Sequence, residues 1–193
     1  MKVISGLLKG RKINGYDIDG TRPTMDRVKE SLFGMIQDHI KDSVVLDLFA
    51  GSGQLGIEAI SNGAKICYFT DNNNEVIKVL NSNISNLNIK DKSKVILTDW
   101  KRFLNESANK SIKFDLIFVD PPYDYDVYEK ILDKVSTLNL LNDNGLIILE
   151  HHNLKLKENY NNLLLYKEKK YGNKSVNIYK NNWHLFFIMI YFN

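Results

Sequence analysis

Val44-Val45-Leu46-Asp47-Leu48-Phe49-Ala50-Gly51-Ser52-Gly53-Gln54-Leu55-Gly56 joins a short apolar run to a glycine-rich bend, and Ile57-Glu58-Ala59-Ile60 follows with helical character. Gly51, Gly53 and Gly56 match G-x-G-x-x-G, where glycines allow a tight turn and bring the start of a helix close to a ligand. Downstream the rhythm repeats. Apolar runs at residues 44–49, 65–70, 95–97, 114–119 and 146–149 alternate with helical patterns at 55–61, 74–87, 100–105 and 125–137. Strand, helix and strand in alternation predict an α/β fold with a parallel, doubly wound sheet. Near-continuous apolar runs fit strands covered on both faces. Ligands in such sheets lie beyond the carboxyl ends of the strands. The predicted strands end there in Asp47, Asp71, Asp99, Asp120 and the trio Glu150-His151-His152.

Ahead of this core, residues 3–8 and 12–18 read as a hairpin around Gly10. A helix then follows, with Thr24 as N-cap after Pro23 and Val28, Leu32, Phe33, Ile36 and Ile40 at helical spacing. The expected organisation is an N-terminal extension over residues 1–41, a catalytic domain over 42–180 and an apolar tail over 181–193.

Asp71 stands twenty residues beyond Gly51, so the glycine loop alone fits a dinucleotide site, and a nicotinamide-dependent oxidoreductase is one reading. Asp47, just before the loop, argues for another ligand. A carboxylate there adds negative charge beside a pyrophosphate but favours a ligand with an ammonium group and no phosphate, such as S-adenosylmethionine. Asp71 can accept hydrogen bonds from ribose hydroxyls, and Asp99 is placed for an adenine amine.

Asp120-Pro121-Pro122-Tyr123 ends the fourth run. Two prolines fix φ and remove two backbone donors, making a stiff turn that holds an acid, a free carbonyl and an aromatic ring together. Asp120 and a main-chain carbonyl can accept the two hydrogens of an exocyclic amine while Tyr123 stacks on its base. Orienting that poor nucleophile toward a sulfonium methyl is most of the chemistry.

The chain has 193 residues, 44% hydrophobic and 25% charged, which suits one folded domain and excludes a disordered, collagenous or disulfide-stapled chain. Its only cysteine, Cys67, can form no internal disulfide, and residues 1–13 carry Lys2, Lys9, Arg11 and Lys12 without a long apolar core, so the expected address is the cytoplasm. The net charge of +3 is unevenly placed: residues 1–41 hold eight Lys/Arg against five Asp/Glu, and residues 42–193 eighteen of each. A second basic stretch, residues 155–180, has seven positive charges against two negative. Basic flanks suit a polyanionic substrate, and a non-catalytic RNA-binding module is a further alternative. No Cys or carboxylate falls at ligand spacing around His151 and His152, so no metal is expected.

Arg22-Pro23-Thr24-Met25-Asp26-Arg27-Val28-Lys29-Glu30-Ser31-Leu32-Phe33, the glycine loop with Leu46-Asp47 before it, and Asp120-Pro121-Pro122-Tyr123 together resemble the bacterial 16S ribosomal RNA guanine-N2 methyltransferases. Ile4-Ser5-Gly6 and Gly10-Arg11-Lys12 strengthen the resemblance, which covers about residues 2–180. It implies a Rossmann-like class I methyltransferase fold of seven strands, the last antiparallel, with an N-terminal hairpin and helix. It also implies S-adenosylmethionine bound by Asp47, Phe49, Gly51, Ser52, Gly53, Asp71, Asn72, Asp99 and Trp100, and guanine held by the turn at residues 120–123. Lys9, Arg11, Lys12, Arg22, Arg27 and Lys29 would meet 16S rRNA in assembled or partly assembled 30S subunits. An adenine-N6 methyltransferase on DNA or RNA would use the same turn. Residues 183–192 extend beyond the usual end of such chains; they are apolar but about half the ~20 residues that cross a bilayer.

Overall fold

The computed structural model describes residues 1–15, 22–122, 127–152 and 154–182, without the side chains of residues 22–25. Two compact units divide the chain between Trp100 and Lys101.

In the first unit, helix α1 (Arg22–Ile36) buries Val28, Leu32, Phe33 and Ile36. It starts two residues before the expected cap at Thr24, which places Pro23 in the first turn, where its missing N–H is harmless. Strands β1 (Val44–Asp47), β2 (Ile66–Asp71) and β3 (Ser93–Leu97) are joined through helices α2 (Gln54–Ser61) and α3 (Asn74–Leu87). Their order is β3-β2-β1, with both pairings parallel. The Asn73 side chain caps α3 by accepting from Glu75 N at 2.9 Å, and left-handed Asn88 (φ 57°) ends it. Gly56 lets α2 lie against β2: an added Cβ would stand 2.3 Å from Phe69 Cε1 and 2.6 Å from Cys67 Sγ.

The expected N-terminal hairpin is shorter than read: Lys2 bridges Lys12 in antiparallel sense, Val3 N donates to Arg11 O and Ile13 N to Met1 O, each at 2.9 Å, and residues 16–18 of the expected second arm lie outside the described residues. The turns between the arms are held by α2. Leu7 N donates to Ser61 O, Leu8 N to Ser61 Oγ, and Gly6 (φ 73°) lies so close that an added Cβ would stand 2.0 Å from Ser61 O.

In the second unit, α4 (Trp100–Asn109), whose first residue belongs to the first unit, leads to β4 (Phe114–Val119), α5 (Val127–Thr137) and β5 (Leu141–His151). Three strands follow: β6 (Asn159–Tyr160), β7 (Leu163–Tyr171) and β8 (Lys174–Asn181). Here the order is β4-β5-β8-β7-β6. β4 and β5 are parallel, whereas β8 runs antiparallel to β5 and β7, and β6 antiparallel to β7. Consecutive residues Leu116–Val119 and Leu146–Leu149 are all 2% exposed or less, as strands covered on both faces must be. The strands among the described residues number eight rather than seven, the extra one being the two-residue β6.

A buried amide network closes this unit. Ser136 Oγ donates to Asn162 Oδ1, Asn162 Nδ2 to Asn181 Oδ1 at 2.6 Å, and Asn181 Nδ2 to the carbonyls of Leu141 and Asn142 at 3.1 and 3.0 Å. No helix among the described residues is long and apolar enough to cross a membrane. Of the apolar tail expected over residues 181–193, Asn181 belongs to β8 and residues 183–193 lie outside the described residues.

Candidate active site

The first unit brings the glycine loop and two acids together. Asp47 ends β1 with 3% exposure, and its Oδ2 accepts from Gly56 N in the first turn of α2 at 2.9 Å. Burial pushes its carboxyl up to about 7; the Gly56 hydrogen bond opposes the rise and the Asp71 charge adds to it. Asp71, half-buried at the end of β2, accepts from Gly51 N at 3.1 Å through Oδ2 and from Asn73 N at 2.9 Å through Oδ1. One carboxylate therefore shapes the loop and the entry to α3.

Left-handed backbone at Gly51 (φ 54°) and Gly53 (φ 87°) makes the bend, and Gly53 N donates to Ala50 O at 2.7 Å. At Gly53 an added Cβ would also stand 2.5 Å from Leu80 Cδ1, whereas at Gly51 it meets only Phe49 O at 4.0 Å. The open side of Gly51 is where a ligand backbone can approach. Phe49 is half-buried, Ser52 buried and Asn72 exposed. Asp99 is exposed after β3, and Trp100 starts α4 half-buried.

Sequence reasoning missed Asn83. Its Nδ2 donates to Ser52 O at 3.0 Å and to Asn14 O at 2.8 Å, and its Oδ1 accepts from Asn14 N at 2.9 Å. An α3 side chain thus pins the glycine loop and the N-terminal segment. The available signal was an asparagine on the buried stripe of Ile77, Leu80, Ile84 and Leu87.

Glu58 was also missed. It is fully buried in α2 and accepts from Ile4 N at 3.0 Å, Ser5 N at 2.7 Å and Ser5 Oγ at 2.7 Å, with Lys29 Nζ at 3.4 Å. Lys29 is 5% exposed and donates to Lys2 O at 3.0 Å. The RNA contact expected of Lys29 is therefore corrected: its ammonium is held inside, neutralising Glu58. Lys9, Arg11, Lys12 and Arg27 are exposed, and Arg11 Nη2 donates to Asn86 O at 2.8 Å. The Arg22 side chain lies outside the described residues.

The second unit presents the proline turn. Asp120 is exposed directly after the buried run of β4, with Pro121 half-buried and Pro122 exposed. Tyr123 lies outside the described residues. Val119 pairs with Leu149, so Asp120 and Glu150 leave the ends of neighbouring parallel strands together. Glu150 binds Lys174, and its carbonyl accepts from Tyr128 Oη at 2.7 Å. His151 has a structural role: Nδ1 accepts from Leu154 N at 3.1 Å, leaving Nε2 to donate to Asn177 Oδ1 at 2.9 Å.

Residues 1–180 match the family described as "Conserved hypothetical protein 95". A Bacillus subtilis protein named as an rRNA methyltransferase is 38% identical over 93% of this chain and 98% of its own length. Ribosomal RNA small subunit methyltransferase D of Haemophilus influenzae is 36% identical over 94% of each chain. A solved Escherichia coli chain described as a methyltransferase superposes with TM-score 0.84 at 31% identity, covering 94% of this chain and 98% of its own. A Rossmann-like methyltransferase fold accounts for the strand ends, and the nicotinamide alternative is set aside. The chain belongs to the family described as "Conserved hypothetical protein 95", and ribosomal RNA small subunit methyltransferase D proteins are among its relatives.

Proposed function

We propose that the protein methylates the exocyclic N2 amine of a guanine in 16S rRNA, acting in the cytoplasm on assembled or partly assembled 30S subunits. The observation that carries this reading is Asp120: an exposed acid directly after the buried run Leu116–Val119 of β4, followed by two prolines. Bound S-adenosylmethionine supplies a methyl group on a sulfonium, an electrophile ready for a nitrogen nucleophile.

The residues of the chain bind and orient. Asp47 sets a negative charge where the methionine ammonium would lie, Gly51 and Gly53 admit its backbone, and Asp71 can take the ribose hydroxyls from the end of β2. Phe49, Ser52, Asn72, Asp99 and Trp100 complete the surround. At the turn, Asp120 and a proline carbonyl accept the amine hydrogens, which directs the nitrogen lone pair at the methyl carbon, while Tyr123 stacks on the base. Held this way, the amine nitrogen would accept the methyl group that the cofactor supplies, and the proton it sheds would pass to the Asp120 carboxylate or to water. Lys9, Arg11, Lys12, Arg22 and Arg27 would grip phosphates.

The test is mass mapping of nucleosides from 16S rRNA incubated with purified protein and S-adenosylmethionine. N2-methylguanosine at one position is the expected product, and N6-methyladenosine in its place would overturn the guanine assignment. Asp120→Ala should retain cofactor affinity within about twofold and lower turnover by about 10²-fold or more. Unchanged turnover would remove Asp120 from the chemistry.

A further inference from the structure

We infer that the lysines and tyrosines along β7, flanked by Lys174 and Lys180 of β8, form a track that holds single-stranded RNA and leads it to the Asp120 turn; this rests on the substrate being RNA. Lys167, Lys169 and Tyr171 pair with Ile178, Val176 and Lys174; Ile178 and Val176 are fully buried, so the accessible part of this side is β7 itself, with Lys174 and Lys180 partly exposed towards the two ends of β8. The register shifts between Leu165 and Lys167, so Tyr166 is the extra residue of a β-bulge. Bulges re-aim side chains, and this one leaves Tyr166 44% exposed.

Two ammonium groups stand over that ring, Lys167 Nζ at 4.9 Å and Lys180 Nζ at 5.6 Å from its centroid. Further along, Lys169 Nζ lies 5.5 Å from the centroid of Tyr171. Aromatic faces interleaved with cations are what sequence-tolerant single-strand binding needs: stacking for bases and charge for phosphates. Outward positions of β7 from Tyr166 to Tyr171 on this face carry nothing else.

The track runs toward the acceptor turn. Lys174, the first residue of β8, binds Glu150 near the end of β5, and Asp120 directly follows the neighbouring strand β4. Burial alone would lower the Lys174 ammonium, yet the Glu150 hydrogen bond and the charges of Glu150 and Asp120 hold it above its ordinary value. Its charge is thereby tied to the rim where the base would be held. Lysines and a bulge also guard an open strand edge, and β6 covers only the first two residues of β7. Edge protection, however, needs no tyrosine ring beneath the ammonium groups.

The experiment uses the full chain, with protein-free 16S rRNA and a fluorescent dodecauridylate as probes, over a range of salt. Tyr166→Ala should weaken dodecauridylate binding about fivefold or more with an unchanged salt slope, and Tyr166→Phe should restore it. Replacing Lys167, Lys169 and Lys180 together by Gln should lower the slope of log affinity against log salt by about two. S-adenosylmethionine affinity should stay at the wild-type value in every variant. Wild-type affinity and slope for both probes in these variants, with or without self-association, would overturn the track. Failure of the wild type to methylate 16S rRNA while the variants still lose dodecauridylate binding would keep the track and overturn the methyl-transfer reading.

Discussion

Asp47 is a buried acid whose ionisation can be set by what binds beside it. Burial holds its carboxyl up to about 7 in the ligand-free protein. An ammonium brought close would favour the carboxylate, so cofactor binding should release a proton near neutrality. Affinity should then be flat above about pH 8 and fall by up to tenfold per unit below about pH 7. Calorimetry in buffers of different ionisation enthalpy measures the proton directly, and a pH-independent affinity would take Asp47 away from the ammonium. The sign for folding follows from the same shift. A carboxyl raised above its unfolded value of 3.8 contributes stability present below 3.8 and lost as pH rises through about 7. Asp47→Asn should therefore gain thermal stability over the wild type between pH 5 and pH 8. Gly56 belongs to this scale as well. Its motif was legible in the sequence, but the reason for it, contact with Phe69 and Cys67, is not a property of the motif. Gly56→Ala should cost about 1–3 kcal/mol through overpacking, read by chemical denaturation.

At the scale of elements, helices were read closely where apolar periodicity governed them, as at α3, whose predicted and observed limits coincide. The N-terminal hairpin was misread in extent: its arms pair only around Lys2 and Lys12, and the backbone groups of the turns between them find partners on α2. Lys29 was misread for a related reason. It lies on the stripe of Phe33, Ile36 and Ile40 at helical spacing, and a lysine on a buried stripe requires an internal acid. That acid, Glu58, sits between Ile57 and Ala59 as the one charged residue of α2, which is the matching signal. Removing one partner should be far more costly than removing both. Lys29→Met should destabilise by about 3–5 kcal/mol because it leaves Glu58 buried without its cation. The double variant with Glu58→Gln should recover part of that loss in the same denaturation experiment, and simple additivity would show that the two charges do not act as a pair.

Over the whole molecule, alternation of apolar runs and helical patterns made the parallel strands legible, with β4 read to the residue. Strand β7 was not legible as a strand, because Leu163-Leu164-Leu165-Tyr166-Lys167-Glu168-Lys169-Lys170-Tyr171 has no period-two pattern: a bulge and an open edge remove the alternation. Charge was legible only as a distribution along the chain, and Lys29 illustrates that a positive residue can be wholly internal. The N-terminal cluster is different, since Lys9, Arg11 and Lys12 are exposed on a backbone tied to α2 by Leu7 and Leu8. The backbone of that loop is already fixed, and Arg11 keeps further N–H donors beside the one it gives to Asn86 O, so each charge should act as a counterion-releasing contact. Replacing all three by Gln should lower the salt slope of 16S rRNA binding by about two to three while the melting temperature and cofactor affinity hold. A slope equal to that of the wild type would place the RNA on other surfaces of the protein, because a solvated lysine patch that never meets phosphate changes neither quantity.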